Sequence, residues 1–177
     1  MARVSYIEEN EHPELTAEIA KIKGGRGALL NIYKLLLHSP KVCMTWFDYI
    51  GAVRWGTKLT PRLRELATIR IAQATRYAYA LQQHVPKIAL ADGVSIEECE
   101  ALKDWRASTL FNDAERAALA YVDAVREGTG VPDDVFDAVR RHYSEREVVE
   151  LTVLTGVYVM HNRIFTALNV DLEPKKA

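Results

Sequence analysis

The chain is punctuated by helix-start signals and carries almost none of the signals of strands. Ser39-Pro40 and Thr60-Pro61 each put a capping hydroxyl before a proline at the first helical position, where the missing N–H is not needed. Asn112 with Glu115, and Ser144 with Glu147, have the spacing of capping boxes. Ser95 with Glu97 and Glu98 opens a shorter segment. Apolar residues follow these starts at helical spacing: Leu63, Leu66, Ile69 and Ile71 after Thr60, and Leu119, Val122 and Val125 after Asn112. Alternating β-branched runs closed by tight turns are nearly absent, and Asp92-Gly93 lies between two helical patterns, where it ends a helix. The fold class is all-α.

The same reading places helices over 14–22, 29–37, from Pro40 to about Trp55, from Pro61 through Ala74, and over 78–91. Gly24, Gly25 and Gly27 close the first of these, and Gly56 and Gly93 close later ones. Further helices follow Ser95, run from Asn112 to Gly128, run from Pro132 to Tyr143, and extend from Ser144 to about Leu168. The last is apolar on most sides (Val148, Leu151, Val153, Leu154, Val157, Tyr158, Met160), which favours burial in a subunit interface as well as in the core.

With 177 residues the chain suits one domain, 1–177. Hydrophobic residues at 49% and charged residues at 27% exclude disorder. Lys+Arg total 23 against 24 Asp+Glu, a net charge of −1, which argues against a nucleic-acid or polybasic membrane-surface partner. The two cysteines, Cys43 and Cys99, form no CxxC, so neither a disulfide framework nor a cysteine-rich zinc site is expected. Met1 to Asn10 hold no apolar signal region, and 148–160 is short and contains Glu150. A cytoplasmic protein is expected.

Five histidines occur, His12, His38, His84, His142 and His161, none in a metal-binding spacing, so no metal is expected. No nucleophile elbow, Walker loop or dinucleotide fingerprint is present, and Gly24 to Gly27 follow a helix rather than a strand. The densest polar-aromatic stretch is Tyr77-Ala78-Tyr79-Ala80-Leu81-Gln82-Gln83-His84, downstream of Thr60-Pro61-Arg62-Leu63-Arg64-Glu65. A carboxylate in contact with an imidazole orients it and makes it a proton carrier. On one straight helix, however, Glu65 and His84 would stand roughly 28 Å apart. They meet only if the chain folds back, and Arg76-Tyr77-Ala78 has no glycine or proline to mark the bend. Spacing alone favours Glu65 as a surface carboxylate paired with Arg62 or Arg64, and His84 as a capped or partly buried histidine.

Gly27-Ala28-Leu29-Leu30-Asn31-Ile32-Tyr33-Lys34-Leu35-Leu36-Leu37-His38-Ser39-Pro40 resembles the opening signature of the carboxymuconolactone decarboxylase family, within the AhpD-like superfamily. Leu63 to Ala72 resembles its central helix, Tyr77 to Pro86 its active-site segment, and 111–121 and 144–151 its later helices. The match covers about residues 25–170. The resemblance implies an AhpD-like helical bundle around a central helical hairpin, a homo-oligomer (trimer or hexamer) and a proton-relay site with no cofactor. In the peroxidase branch the relay is a Glu, a CxxC and a His. The matching positions here are Glu65, Tyr77, Ala80 and His84, so both thiols are missing and thiol-dependent peroxide reduction is disfavoured. Arg76 stands near the family's bend, where positive φ would strain it.

The resemblance implies His84 as general acid/base and Glu65 as its orienting partner, with Tyr77 and Tyr79 stabilising oxygen charge or shaping the pocket. Two residues apart on a helix, only one tyrosine faces the site, and Tyr79 is favoured. Arg62 is the candidate cation for a substrate carboxylate, and Trp55 on an aromatic-rich helix (Trp46, Phe47, Tyr49) a candidate pocket wall. Each of these also reads as an ordinary ion pair or packed aromatic. His161-Asn162-Arg163 is a polar group in an apolar helix, able to reach a neighbouring subunit's site or to satisfy interface hydrogen bonds. The expected function is a cofactor-independent lyase acting on a small carboxylic acid or lactone. The alternatives are an AhpD-like alkylhydroperoxidase and a non-catalytic helical assembly protein.

Overall fold

The computed structural model describes residues 1–174. Among them a 3-10 turn, Pro13–Leu15, leads into ten α-helices: α1 Thr16–Arg26, α2 Asn31–Leu36, α3 Pro40–Trp55, α4 Pro61–Ala74, α5 Ala78–His84, α6 Lys87–Ala91, α7 Ile96–Ala101, α8 Asp113–Glu127, α9 Asp133–Arg140 and α10 Glu145–Ala167. No strand occurs among the described residues.

The starts follow the capping chemistry. Thr60 Oγ1 accepts from Leu63 N at 3.2 Å, and Ser95/Glu98, Asn112/Glu115 and Ser144/Glu147 all close reciprocal capping boxes. Ser39 makes no side-chain cap, so Pro40 alone marks the α3 start.

Several boundaries differ from the sequence reading. Gly24 and Gly25 lie inside α1, and only Gly27, at φ 77°, turns the chain out of it. Gly25 serves close packing instead: a Cβ there would sit 2.6 Å from Phe47 Cζ. The expected helix over 78–91 is broken in two, because Pro86 offers no N–H to the turn before it. The segments over 29–37 and from Pro132 to Tyr143 are each shorter than expected.

Helices α4 and α10 form the centre. α8 packs on both, α3 lies against α10, and α5 folds back onto α4. The fold-back occurs where Arg76 adopts φ 54°, in the left-handed region. A residue with a Cβ is disfavoured there, yet the conformation reverses the chain within two residues of α4. Tyr77 N closes the bend on Ala72 O at 2.9 Å. One buried cluster gathers α1, α3, α4, α5, α8 and α10, and a second, around Leu66, Ile69, Leu102 and Trp105, fills the space under α6 and α7. Helix α10 buries Val148, Leu151, Leu154, Tyr158 and Phe165, while Val149, Val153 and Met160 face outward. No helix among the described residues is long and apolar enough to cross a membrane.

Candidate active site

The helical hairpin brings Glu65 and His84 together. His84 Nδ1 lies 2.6 Å from Glu65 Oε1. Glu65 is 0% exposed and His84 is 7% exposed, so the pair is inside the protein and not the surface carboxylate that spacing alone allowed. Glu65 sits in the second turn of α4, and His84 is the last residue of α5, one helical turn after Ala80. Ala80 and His84 therefore share one face of α5, and that face meets α4.

A third group completes the cluster. Arg54, in the last turn of α3, is buried, and its Nη2 lies 3.8 Å from Glu65 Oε2. Its Nη1 donates to Tyr158 Oη on α10 and lies 3.5 Å from His84 Nε2. Burial opposes the Arg54 charge, but Tyr158 and Glu65 outweigh it, and its pKa is raised above the ordinary arginine value. The sequence reading did not single out Arg54. Its signal was there: Cys43, Phe47 and Ile50 form a stripe at spacings of four and three, and Arg54 continues it four residues on. A cation on the apolar face of a helix requires a buried partner.

With Glu65 ionised, His84 Nδ1 carries the proton of their hydrogen bond, and Nε2 is the position left for acid/base exchange. The arrangement holds one carboxylate, one guanidinium and one imidazole in near charge balance. Glu65 Oε2 accepts no hydrogen bond among the described residues, so the carboxylate keeps spare accepting capacity.

The other expected site residues lie elsewhere. Arg62 is a correction: its guanidinium is spent on Glu115 (2.7 Å), Glu98 (2.6 Å) and the Gly93 carbonyl (2.5 Å), pinning α4 to α7 and α8, and Arg54 is the cation beside the relay. Tyr79 is also a correction: its hydroxyl donates to Glu173 Oε1 of the C-terminal segment, and burial with that carboxylate raises its pKa. Tyr77 stacks on Tyr79 at 6.0 Å and turns its edge to His161 at 6.3 Å. Trp55 is largely exposed and covers Arg54 from outside, 5.4 Å from its guanidinium carbon to the ring centre.

Cys43 and Cys99 lie in the two different buried clusters. Burial pushes each thiol up to about 11, so neither supplies a thiolate at neutral pH. Among the described residues no group of three or more His, Cys, Asp and Glu side chains converges to hold a metal ion. Two open hollows lie nearby on the surface of the described residues without reaching the cluster: one of about 360 Å³ on α3 (Lys41, Val42, Thr45, Trp46, Tyr49), the other of about 250 Å³ between the start of α5 and the end of α10. Neither is lined by Glu65 or His84, whose outer side is covered by Arg54 and Tyr158.

Residues 40–124 match the model of the carboxymuconolactone decarboxylase family. The chain is similar to the uncharacterized protein YnjA of Escherichia coli (strain K12), with 34% identity over 124 residues, 68% of this chain and 66% of that one. Among solved structures it is similar to ATU0492 from Agrobacterium tumefaciens, a protein of unknown function described as a candidate antioxidant defence protein AhpD. That match has 29% identity and a TM-score of 0.74, covering 80% of this chain and 97% of the other. The debrominase Bmp8, solved with 2,3,4-tribromopyrrole, shares the fold at 20% identity and a TM-score of 0.81, covering 98% of this chain and 94% of its own.

Proposed function

Because residues 40–124 match the carboxymuconolactone decarboxylase family model and the chain is similar to a solved AhpD-like protein, we propose that it is a member of that family and a cofactor-independent lyase working through the Glu65–His84 relay on a small unsaturated carboxylic acid or lactone. The observation that carries this reading is the 2.6 Å contact between two buried groups that the hairpin alone brings together. Glu65 fixes the imidazole, and His84 Nε2 gives or takes the proton at the reacting carbon. Arg54 offers the charge that a substrate carboxylate needs, and its swing from His84 to the substrate would free Nε2 in the same motion. Thiol-dependent peroxide reduction is disfavoured by Tyr77 and Ala80 at the two cysteine positions and by the two buried, protonated thiols.

The test is turnover of a panel of unsaturated and lactone carboxylates, read as CO₂ release or loss of substrate absorbance, by the wild type and His84→Ala. Turnover that disappears in His84→Ala supports the lyase. A panel with no His84-dependent change rejects it for this substrate class and favours the second reading, a non-catalytic helical assembly protein. The covering of His84 by Arg54 and Tyr158 favours that second reading. In either case we propose a homo-oligomer, trimer or hexamer. Val42 and Tyr49 on α3 and Val149, Val153 and Met160 on α10 leave apolar area uncovered. Light scattering on the purified chain checks it.

A further inference from the structure

Beside the relay stands a group the relay does not explain. His161 lies one turn beyond Tyr158 on α10 and is buried. Its ring is boxed in by Phe165 at 4.8 Å, Trp46 at 5.7 Å, Tyr158 at 5.9 Å and Tyr77 at 6.3 Å. Inside that box His161 Nδ1 finds no hydrogen-bonding partner among the described residues, and neither do Trp46 Nε1 and the Tyr77 hydroxyl. Unpaired buried polar groups are unfavourable and scarce in proteins. Here three of them fall together, one on the His161 imidazole and the other two on aromatic side chains packed against it.

The box adjoins both the relay and open space. The Tyr158 ring packs against His161 and, at 6.0 Å, against His84, while its hydroxyl accepts from Arg54. Trp46 forms part of the wall of the larger hollow, and Tyr77 and Phe165 part of the smaller. Burial, with His84 and Arg54 nearby, pulls the His161 pKa down to about 3, so the ring is uncharged at neutral pH. A neutral imidazole donates one N–H, an indole only donates, and a phenol donates one O–H. Donors held in a dry site act most strongly on an oxygen that gains negative charge during reaction.

We propose that Trp46, Tyr77 and His161 form an oxyanion subsite, which holds the carbonyl oxygen of a planar, unsaturated keto acid or lactone while the relay acts on its carboxylate-bearing carbon. The proposal rests on the relay reading of Glu65 and His84. In the step, the bond between carbon and carboxylate breaks and CO₂ leaves. The electron pair moves through the conjugated system to the carbonyl oxygen, where the three donors take up its charge. The pair then returns to carbon as the protonated His84 delivers its proton, which solvent replaces. Nothing is oxidised or reduced.

The probe is 4-nitrophenol, whose phenolate is a planar oxyanion with no carboxylate to lose. The purified full chain is titrated by phenolate absorbance, and ¹⁵N-labelled histidine resonances are followed in the wild type. Saturable binding is expected, weakened about tenfold or more in His161→Phe and largely kept in His161→Gln, which retains a donor. The His161 ring nitrogens are expected to stay neutral from pH 5 to 8 and to shift with the probe. Absent saturable binding, unchanged binding in His161→Phe, or His161 nitrogens that titrate in that range or ignore the probe would each overturn the proposal. Should His161→Phe fail to fold, the wild-type resonances decide alone. Probe binding needs no turnover, so intact binding with no His84-dependent reaction removes only the lyase reading. His84-dependent turnover with no phenolate response removes only the subsite.

Discussion

Two of the carboxylates buried against arginine in this protein, Asp123 and Glu65, are treated in opposite ways. Asp123 on α8 is saturated: Arg70 grips both its oxygens at 2.8 and 3.0 Å, Trp105 Nε1 donates at 3.1 Å and Arg106 at 3.0 Å. Burial alone would raise its pKa, but Arg70, Trp105 and Arg106 hold it below the ordinary aspartate value. Glu65 accepts one hydrogen bond, from His84, and its arginine stands off at 3.8 Å. Asp123 and the Arg70 it holds tie α4, α8 and the turn at Leu102–Asp104 into one unit, and both of its oxygens accept hydrogen bonds. Glu65 keeps an oxygen free and faces a titratable partner. Saturation marks a structural joint, and an unfinished shell marks a place where protons can move.

The comparison can be broken from either side. Glu65→Gln leaves the hairpin packed but removes the charge that orients His84, and kcat on any accepted substrate should fall about 10²- to 10⁴-fold with a small change in melting temperature. Asp123→Ala should do the reverse. It strands the mostly covered Arg70 guanidinium and should cost about 3 kcal/mol in a urea titration, with near-normal turnover in whatever remains folded.

Acid separates the two regions by pH. The folded His161 pKa is depressed from 6.5 to about 3, so the unfolded chain binds the extra proton between those values. Stability from this group is complete above about pH 6.5 and is lost as pH falls, by about 2 kcal/mol at pH 5. Asp123, with its pKa below 3.8, gives stability that is present above its unfolded pKa and lost only as pH falls further. Acid should therefore loosen the relay side first. His161→Phe should flatten the slope between pH 6.5 and 4 in calorimetry, and an unchanged slope would contradict the assignment. The smallest expected effect is at the bend: Arg76→Gly relieves a left-handed residue and should raise stability by about 0.5–1 kcal/mol, with the Glu65–His84 contact intact.

Much of the fold was legible because helix starts are local. Thr60, Asn112 and Ser144 announce themselves within three residues, and the structure closes each cap. What was illegible depended on distance along the chain. The hairpin that joins Glu65 to His84 turns on Arg76, which has no turn chemistry of its own; only the family resemblance pointed to it. Pro86 was read as part of a helix that it ends. Arg62 and Arg54 are both arginines on helices, and nothing local says which one meets a carboxylate in the core. The apolar stripe leading to Arg54 was the overlooked signal. Tyr79 was turned away from the site by Glu173, a partner 94 residues later in the chain.

The central claim is that the unfinished shell around Glu65 moves protons. The most direct measurement is deuterium incorporation from D₂O into the carbon acids of the carboxylate panel, followed by NMR with the wild type, Glu65→Gln and His84→Ala. The account predicts incorporation or deuterated product with the wild type, strong slowing in Glu65→Gln and none in His84→Ala. Equal incorporation by all three proteins, or none by the wild type, would contradict it.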